Sequence, residues 1–470
     1  MNTQVLSLDD LVDGQGFSRF SANLLLWSFL AMIADGFDLA ALASAAPELA
    51  KTWHVAAKAF APALSASAFG ILFGAPLLGF AGDRFGRKVV IVAGCTVYGL
   101  GTLATVWANN LDQVMVLRFL TGIGLGGLMP NLVCLNSELA SRRLRAILIT
   151  LMFAGISLGG GIPGYVQAWL IPQYGWQVMF WIGGLAPLAV AVCLLFTLPE
   201  SVKYLASWPH RKAELLATVR RLRRDLTIAD TAQFVASVEP QVRSSGLRQI
   251  FGGGLAWITP LLWVCFASAL MANFFLNSWL PLIFANSGLT PKQGGVATSL
   301  YHYSGLIGGV LVSLVLARFG FAVIALFFML AVPAIAAIGL PGASYIAMAS
   351  TVGLAGFCVL GAQFGNIAAS GLLYPTQFRS RGVGWALAFG RVGAIAGPLL
   401  GGLLIDMKLP LQQLFFLAAI PMVAGLIAAF SIAGLSYKRV GRMHFDGLRN
   451  LVYLEPRTPA AAAASSPPRA

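Results

Sequence analysis

The chain has 470 residues, of which 58% are hydrophobic and 10% are charged, and it carries a formal net charge of +14. About a quarter of the residues in a soluble domain are charged, so this chain has too few charges to cover a water-soluble globule. The composition therefore predicts a protein whose surface faces mainly lipid.

The N-terminal segment, residues 1–19, is polar and contains Asp9, Asp10 and Asp13. The apolar run that follows is too long, and its flank too acidic, for a cleaved secretory signal. We therefore expect this run to stay in the protein as its first membrane span.

Apolar runs long enough to cross about 30 Å of hydrocarbon recur along the chain. The twelve predicted spans are 20–44, 59–81, 89–107, 113–135, 146–169, 176–198, 256–280, 293–316, 321–340, 345–373, 382–406 and 411–434. The expected fold is all-α, with twelve transmembrane helices in two pseudo-symmetric six-helix bundles. The bundles are 20–198 and 256–435, joined by a central loop at 199–255 and followed by a tail at 436–470.

Two carboxylates lie inside the first predicted span, in the sequence Asp35-Gly36-Phe37-Asp38. Three residues apart on a helix, their side chains share one face and can open onto one cavity. Ionisable groups at membrane depth are costly and are retained mainly where they move ions, protons or substrate. The doublet therefore predicts a proton-linked transporter. The alternative is an ordinary solvated helix end in a water-filled vestibule.

Basic residues are distributed unevenly between the two faces of the predicted membrane domain. One face, with both termini and the central loop, carries 25 of the 31 lysines and arginines, whereas the other carries Lys51, Lys58, Lys292 and Lys408. Cytoplasmic loops are enriched in these residues, so both termini are predicted to be cytoplasmic. The topology and anionic lipid headgroups explain the positive charge, and we predict no nucleic-acid partner.

The central loop contains a basic stretch, Glu214 to Asp225, that is expected to be helical. Its arginines favour a position at the inner membrane surface, with a solvated linker helix as the alternative. The end of the tail, 458–470, is rich in Ala, Pro and Ser and is predicted to be disordered.

The five cysteines, Cys95, Cys134, Cys193, Cys265 and Cys358, lie in separate apolar stretches without CxxC spacing or a neighbouring histidine. This pattern indicates neither a metal site nor a disulfide framework. The thiols are expected to act as small buried hydrophobic groups, and the sequence predicts no metal and no cofactor.

A glycine-rich, charged turn follows the second predicted span. Its sequence, Gly79-Phe80-Ala81-Gly82-Asp83-Arg84-Phe85-Gly86-Arg87-Lys88, resembles the loop signature of the major facilitator superfamily. Glycines permit close helix approach and a tight turn, and an acidic residue can face the positive end of a helix dipole. The resemblance implies that Asp83 docks near the start of the eleventh span, after Arg381, and holds the cytoplasmic gate closed. The alternative is a topogenic basic loop.

The second half repeats this turn in part, as Leu316-Ala317-Arg318-Phe319-Gly320 after the eighth span. Internal symmetry is expected of transporters that rock two bundles around a midplane site. The family pattern has an acidic residue before Arg318, but Ala317 stands there in this chain. The gating residues implied by the resemblance are Gly79, Asp83, Arg84, Gly86, Arg87, Glu138 and Arg318.

Within the superfamily the chain resembles the aromatic acid:proton symporters, bacterial permeases that import benzoate and hydroxybenzoate-type acids. The resemblance covers nearly all of 15–435. Its segments are Asp35 to Asp38, Arg118 to Asn131 with Ser137-Glu138, Leu276 to Pro281, and Tyr374-Pro375-Thr376 with Arg381 to Trp385 and Gly390 to Ile395. It implies proton-coupled uptake of a small aromatic carboxylate across the inner membrane by alternating access.

Arg118 in the fourth span is the expected partner of Asp38, because both lie roughly 8 to 9 Å below the outer surface at 1.5 Å per residue. An external proton would neutralise Asp35 or Asp38, weaken the ion pair with Arg118 and let the two halves rearrange. The alternative is a purely structural ion pair.

Arg391 in the eleventh span is the candidate for the substrate carboxylate, because guanidinium binds carboxylates in a planar, bidentate way. Alternatively, its side chain snorkels to the cytoplasmic surface. The other candidate binding residues are Asn273, Asn277, Gln363 and Asn366 for ring hydroxyls, Trp279, Tyr301 and Phe364 for ring stacking, and His302 as a proton relay. Each has a structural alternative as an interhelical hydrogen bond or a packing residue.

Rival functions are a sugar or polyol porter, another organic-anion porter, a sensor that does not transport, and an enzyme. The segment Leu198-Pro199-Glu200-Ser201 hints at a sugar porter, but sugars are uncharged, and Arg391 and the aspartate doublet argue against it. A sensor should carry an appended signalling domain. The spans offer no nucleophile and base constellation for an enzyme.

Overall fold

The computed structural model describes residues 5–223, 225–226, 228–230, 232–235, 250–252, 255–374 and 379–440. The predicted disorder at 458–470 and the Pro375-Thr376 part of the family resemblance lie outside the described residues.

Twelve helices in the described part of the chain are long and apolar enough to cross a membrane. The helices are α1 (Leu8–Asp13), α2 (Arg19–Thr52), α3 (Phe60–Phe85), α4 (Arg87–Ala104), α5 (Leu111–Leu139), α6 (Arg142–Tyr165), α7 (Ile171–Tyr174), α8 (Gln177–Thr197), α9 (Val202–Ala206), α10 (Lys212–Leu222), α11 (Ile258–Asn286), α12 (Pro291–Phe319), α13 (Phe321–Ile338), α14 (Tyr345–Leu373), α15 (Arg379–Asp406) and α16 (Leu411–Val440). A π-helical segment, Val166–Leu170, joins α6 to α7. The predicted fold class is confirmed.

The largest difference from the predicted spans is at α2, which was expected to end at 44 and ends at Thr52. Its last turns stay helical because Ala45, Ala46 and Leu49 are buried against the protein. Local sequence also sets the starts of later helices. Thr290 and Gln293 form a reciprocal capping box at the start of α12, which satisfies backbone donors that the helix leaves unpaired.

The most extensive contacts between the two bundles are those of α2 with α11, α3 with α15, and α6 with α12. We call the face where α2 begins and α16 ends the inner face, and the opposite one the outer face. Four polar contacts join the outer halves of the bundles: Ser65 Oγ to the Ile395 carbonyl (3.1 Å), Asn277 Nδ2 to the Leu39 carbonyl (3.2 Å), Ser299 Oγ to the Gly161 carbonyl (2.7 Å) and Lys58 to Asp406 (2.8 Å). We call this arrangement the outer-closed state.

The α6–α12 contact depends on two glycines at the outer end. A Cβ on Gly164 would lie 2.3 Å from the Gly295 carbonyl oxygen, and one on Gly295 would lie 2.1 Å from the Gly164 carbonyl oxygen. Neither position can hold a side chain unless the backbones separate, so glycine at both positions permits the outer-closed state.

A small platform on the inner face departs from the purely helical expectation. The strand β1 (Val5–Ser7) pairs in parallel with β2 (Gln233–Val235), which lies in the central loop. Ion pairs then attach the N-terminal segment to the bundle, from Asp13 to Arg142 (2.8 Å) and from Asp9 to Lys203 (3.5 Å). Two distant stretches of the chain therefore fold together against the first bundle.

The basic helix of the central loop, α10, belongs to this platform. Its apolar residues Leu215, Leu216, Val219 and Leu222 are buried in one cluster with leucines of α1. Protein therefore covers its apolar face, which differs from both sequence expectations, a membrane-surface helix and a solvated linker. One cysteine also departs from expectation, because Cys134 is exposed.

Candidate functional site

A charged pair lies inside the first bundle. Arg118 Nη1 on α5 is 3.0 Å from Asp38 Oδ1 on α2, and at most 2% of either side chain is exposed. Thr102 Oγ1 donates to the same carboxylate oxygen (2.5 Å) and accepts from Arg118 Nη2 (2.9 Å). The guanidinium also lies 5.6 Å from the Phe180 ring centroid. Such contacts are needed because a buried charge without partners is strongly destabilising.

Asp38 lies farther from the outer end of its helix than expected, and the predicted contact with Arg118 is present. Asp38 is 14 residues from the end of α2, or about 21 Å along the helix. Arg118 is 7 residues from the start of α5, or about 10 Å. The two distances to the helix ends differ because α2 continues beyond its predicted end. Thr102 was missed from the sequence, and its only signal was a hydroxyl inside the third span.

Asp35 is buried, with 6% of its surface exposed, and it makes no hydrogen bond or ion pair with any described residue. Its charge interacts instead with those of Arg391 on α15 and Asp38. Between the two acids, a Cβ on Gly36 would lie 2.1 Å from the Ile156 carbonyl oxygen. Gly36 therefore lets α6 pack directly against α2 while both carboxylates stay on the helix.

Arg391 is half-buried and lies at least 12 residues from both ends of α15. Its charge interacts with that of Asp35 on the opposite bundle. Arg391 is therefore placed where its charge can act on the first bundle.

Amide and hydroxyl groups of the second bundle form a chain beside this interface. Tyr301 Oη donates to Asn273 Oδ1 (2.9 Å), and Asn273 Nδ2 donates to Gln363 Oε1 (2.9 Å). Asn273, Gln363 and the neighbouring Phe364 are only partly buried, whereas Tyr301 is fully buried. Among the described residues, the Gln363 amide nitrogen has no acceptor, so it can donate to a bound molecule.

His302 and Asn277 connect the two bundles. His302 Nε2 is 2.9 Å from Asn277 Oδ1, and Asn277 Nδ2 donates to the Leu39 carbonyl (3.2 Å), next to Asp38. A Cβ on Gly160 of α6 would lie 2.6 Å from His302 Nδ1. Both side chains are therefore held in the contact between bundles, where a change of state must break or move them.

Two candidate binding residues serve packing in this structure. Trp279 is fully buried, and its Nε1 donates to the Pro398 carbonyl (3.0 Å). Asn366 is also fully buried, and its Nδ2 donates to the Cys265 carbonyl (3.1 Å). In this state both side chains are buried and their donors are bonded to backbone carbonyls, and their role in substrate binding stays a prediction.

Charged residues of the glycine-rich turn form a network within the first bundle. Arg87 pairs with Asp83 (2.5 Å) and approaches Glu138 (3.6 Å), and the Ser201 hydroxyl donates to Glu138. Asp83 is 68% exposed. Its ion-pair partner among the described contacts is Arg87 of its own bundle, and the docking near Arg381 implied by the resemblance stays a prediction.

Glu200 is a further member of this network. Its Oε1 accepts from the backbone N–H groups of Arg87 (2.8 Å) and Lys88 (3.2 Å), and thus caps α4. Gly86 has φ +103°, and a Cβ there would lie 2.3 Å from Glu200 Oε2. Burial raises the pKa of Glu200, while these backbone donors oppose the shift. In the sequence, Glu200 was visible only as part of the sugar-porter hint.

The corresponding turn of the second bundle also has a glycine with positive φ, but it lacks the pair of opposite charges. Gly320 has φ +60° where Gly86 has +103°. Arg318 is exposed and lies 5.5 Å from the Phe319 ring centroid, as Arg84 lies 5.6 Å from that of Phe85. A glycine with positive φ and an arginine beside a phenylalanine therefore recur in both turns, whereas the ion pair Asp83–Arg87 lies in the first bundle.

Twelve membrane-crossing helices in two bundles, with buried charges between them, define the class as a membrane transporter. Residues 28–370 match the Major Facilitator Superfamily. The chain belongs to this superfamily and, within it, to the family of aromatic acid transporters.

The relatives that show the family match over most of their length. The chain is 35% identical to the 4-hydroxybenzoate transporter PcaK of Pseudomonas aeruginosa, over 92% of this chain and 96% of that protein. It is 34% identical to the gallate transporter of Pseudomonas putida, over 90% and 94%. It is 30% identical to the benzoate transport protein of Acinetobacter baylyi, over 91% and 92%.

Solved structures show the same fold at much lower identity. The xylose transporter XylE of E. coli, in a partially occluded inward open conformation, superposes with a TM-score of 0.68 at 14% identity, covering 88% of this chain and 98% of that one. A bacterial homolog of the lysosomal transporter Spinster, inward-facing, gives 0.68 at 15% identity, covering 90% and 99%.

Proposed function

We propose that this protein couples proton entry to the uptake of an aromatic carboxylate of the hydroxybenzoate type across the bacterial inner membrane, with both termini cytoplasmic. The observation that supports it best is the electrostatic interaction between Asp35 of the first bundle and Arg391 of the second, both of which lie inside long membrane-crossing helices. The named activities of the relatives, transport of 4-hydroxybenzoate, gallate and benzoate, supply the substrate class.

Arg391 binds the substrate carboxylate in this proposal. A guanidinium holds a carboxylate by two parallel hydrogen bonds, and a neutral analogue leaves the buried charge without an anion. Gln363 and Asn273 bind ring hydroxyls, since both are partly accessible and Gln363 keeps a free donor. Phe364 lies beside Gln363 on α14 and contacts the ring.

Competition for Arg391 couples the proton to the substrate. In the empty site, ionised Asp35 supplies the negative charge that the Arg391 guanidinium needs. When a proton neutralises Asp35, the substrate carboxylate takes its place. Substrate thus binds best to the protonated protein, and release of both leaves Asp35 to pair with Arg391 again. Asp38 and Arg118 keep a second, coupled charge within the first bundle.

Alternating access follows from the antiparallel contact of α3 and α15. Ser65 meets Ile395, and further out a Cβ on Gly402 would lie 2.5 Å from the Ala61 Cβ. Toward the inner face, α3 and α15 run antiparallel in the same register as the Ala61–Gly402 contact. This register places Gly79 opposite Gly384 and Asp83 opposite the first turn of α15. A Cβ at Gly79 or Gly384 meets no atom within 4 Å in the outer-closed state. Both glycines are thus free to approach each other when the inner face closes.

Uptake by proteoliposomes tests this function. Labelled 4-hydroxybenzoate, gallate, benzoate, cinnamate and glucose are offered with and without an inward proton gradient, and empty liposomes provide the control for passive entry of the acids. We expect the gradient to drive accumulation of the hydroxybenzoates. Gradient-independent uptake, or uptake of glucose in place of the acids, would contradict the proposal.

A further inference from the structure

A cavity of about 180 Å³ lies at the outer face between the two bundles. The first bundle contributes Ser44, Lys51 and Gln167 to its lining, and the second contributes Pro281 and Gly294. The cavity is separate from the mid-depth site, because Ser44 lies nine residues beyond Asp35 along α2, about 13 Å toward the outer face.

Two buried polar residues line this cavity without hydrogen-bond partners for all their polar atoms. Ser44 and Gln167 are 1% and 4% exposed, and Ser44 Oγ and Gln167 Oε1 have no partner among the described residues. Gln167 belongs to the π-helical segment Val166–Leu170, and such segments are frequent at functional sites. A buried polar atom without a partner costs about 1–3 kcal/mol, so a ligand that satisfies both groups gains affinity.

The remaining walls suit an aromatic ring with a charged end. Four proline rings line the cavity, those of Pro47, Pro172, Pro281 and Pro291. A volume of about 150 Å³ is enough to hold benzene. Lys51 lines the same cavity, with two thirds of its side chain exposed and its Nζ 3.8 Å from Glu48. An exposed pair at that distance is weak, so the ammonium can also bind a carboxylate.

We propose that this outer cavity binds an aromatic hydroxy acid as a second site. The ring lies between the prolines, its hydroxyl donates to Gln167 Oε1 and accepts from Ser44, and its carboxylate meets Lys51. The inference rests on the proposed function, because it takes the ligand from the same substrate class.

Binding here has a consequence for transport. The lining comes from both bundles, so the cavity is complete only when their outer ends are in contact. A ligand that binds one state and not the other stabilises that state. Substrate in this cavity therefore holds the outer-closed state and inhibits its own uptake from outside at high concentration.

Filling the cavity provides the cleanest test. A Cβ on Gly294 meets only Phe284 Cβ at 3.6 Å and Gln167 Nε2 at 3.8 Å, so Gly294→Leu fills the space without a backbone clash. Binding of labelled 4-hydroxybenzoate to the purified full-length protein is measured by equilibrium dialysis. Uptake by right-side-out vesicles is measured against external concentration.

We expect two bound equivalents in the wild type and one in Gly294→Leu and in Gln167→Leu, with loss of inhibition at high concentration in both variants. Lys51→Met should weaken binding at the outer cavity about tenfold. Lys292 is an exposed outer lysine outside the cavity lining, so Lys292→Met should not change this binding. Arg391→Ala should lose the equivalent that binds at the transport site. A single equivalent in the wild type that Gly294→Leu retains would overturn the second site and leave the proposed function standing. Absence of any transport of aromatic acids would overturn both.

Discussion

The two bundles carry different polar chemistry on related frameworks. The first contains a buried ion pair, Asp38 and Arg118 at 3.0 Å, and the buried carboxyl group of Asp35. The second holds a neutral chain through Asn273, Gln363 and Tyr301, and Arg391 is its charge at the interface. Ion pairs can exchange protons, whereas amides and hydroxyls recognise shape and hydrogen bonding. This difference is the basis on which the proposed function places proton chemistry in the first bundle and substrate recognition in the second.

The two inner turns show the same contrast. Asp83 and Arg87 pair across one helical turn around Gly86. Aligned on Gly320, the second bundle has Ala317 and Phe321 at these positions, and Phe321 is buried in the apolar core. Both members of the pair are thus absent, while the glycine turn is kept. Both turns keep a glycine with positive φ, whereas the Asp83–Arg87 pair occurs in the first bundle alone among the described residues.

The largest expected effect comes from breaking the buried pair. Arg118→Met leaves ionised Asp38 buried without its cation, which should lower the free energy of unfolding by about 3–5 kcal/mol. Adding Asp38→Asn to the same chain should recover part of this loss, because no buried charge remains. Thermal unfolding in detergent measures both, with Arg84→Met as the exposed control. Equal stability of Arg118→Met and Arg84→Met would contradict the account.

Arg391 should decide recognition of the carboxylate. Arg391→Ala should lose the discrimination between an aromatic acid and its amide, whereas Arg391→Lys should keep weaker binding, since the charge remains but the fork is lost. A charged hydrogen bond of about 2 kcal/mol corresponds to roughly thirtyfold in affinity. Competition by benzoate-type acids and their amides in the uptake assay measures it. Unchanged selectivity in Arg391→Ala would move the anion site to Arg118.

The Asp83–Arg87 turn should affect the transport rate more than the affinity for substrate. Asp83→Asn should slow transport about tenfold with little change in substrate affinity, because the turn is far from the midplane and acts on the balance of states. Arg318→Gln should have a smaller effect, since its turn lacks the acid. Rates and dissociation constants of both variants provide the comparison. A loss of affinity in Asp83→Asn, or a larger effect of Arg318→Gln, would reverse the assignment.

The smallest effect is expected at the outer ion pair. Lys58 and Asp406 are 2.8 Å apart but about half exposed, and such pairs contribute roughly 0–1 kcal/mol. Lys58→Met should therefore favour the outward-open state by less than about fivefold. Labelling of an introduced cysteine, Ser65→Cys, a nearly isosteric change at the closed outer contact, reports the difference between chains with Lys58 and chains with Lys58→Met. A shift in the balance of states larger than that caused by Asp83→Asn would show that the Lys58–Asp406 pair controls this balance more than the Asp83–Arg87 turn does.

The spans and the two-bundle fold could be predicted because long apolar runs have few alternatives in lipid. The residues of the mid-depth site were also visible, since Asp35, Asp38, Arg118 and Arg391 are charges in apolar surroundings. Their partners were less predictable. Thr102 and Glu200 are ordinary in composition, and only the packing of distant helices brings them to Arg118 and to the start of α4.

Other features depended on contacts that local pattern does not specify. The pairing of β1 with β2 joins segments more than 200 residues apart, and the apolar face of α10 gave no sign that α1 would cover it. Trp279 and Asn366 are residue types that often bind ligands, yet the side-chain N–H of each donates to a neighbouring backbone carbonyl. The proposed docking of Asp83 at α15 involves a second conformational state, which one sequence motif cannot specify.

The central claim is that the first bundle handles the proton and the second handles the substrate. The most direct measurement is the ratio of proton-driven accumulation to exchange of labelled substrate at equal pH, in the same proteoliposomes. For Asp35→Asn and Asp38→Asn, with Asp112→Asn at the outer end of α5 as the matched control, we predict that accumulation disappears while exchange remains. For Arg391→Lys, we predict that both fall together and their ratio is kept. Accumulation against a gradient in both aspartate variants, or a collapsed ratio in Arg391→Lys, would contradict the claim.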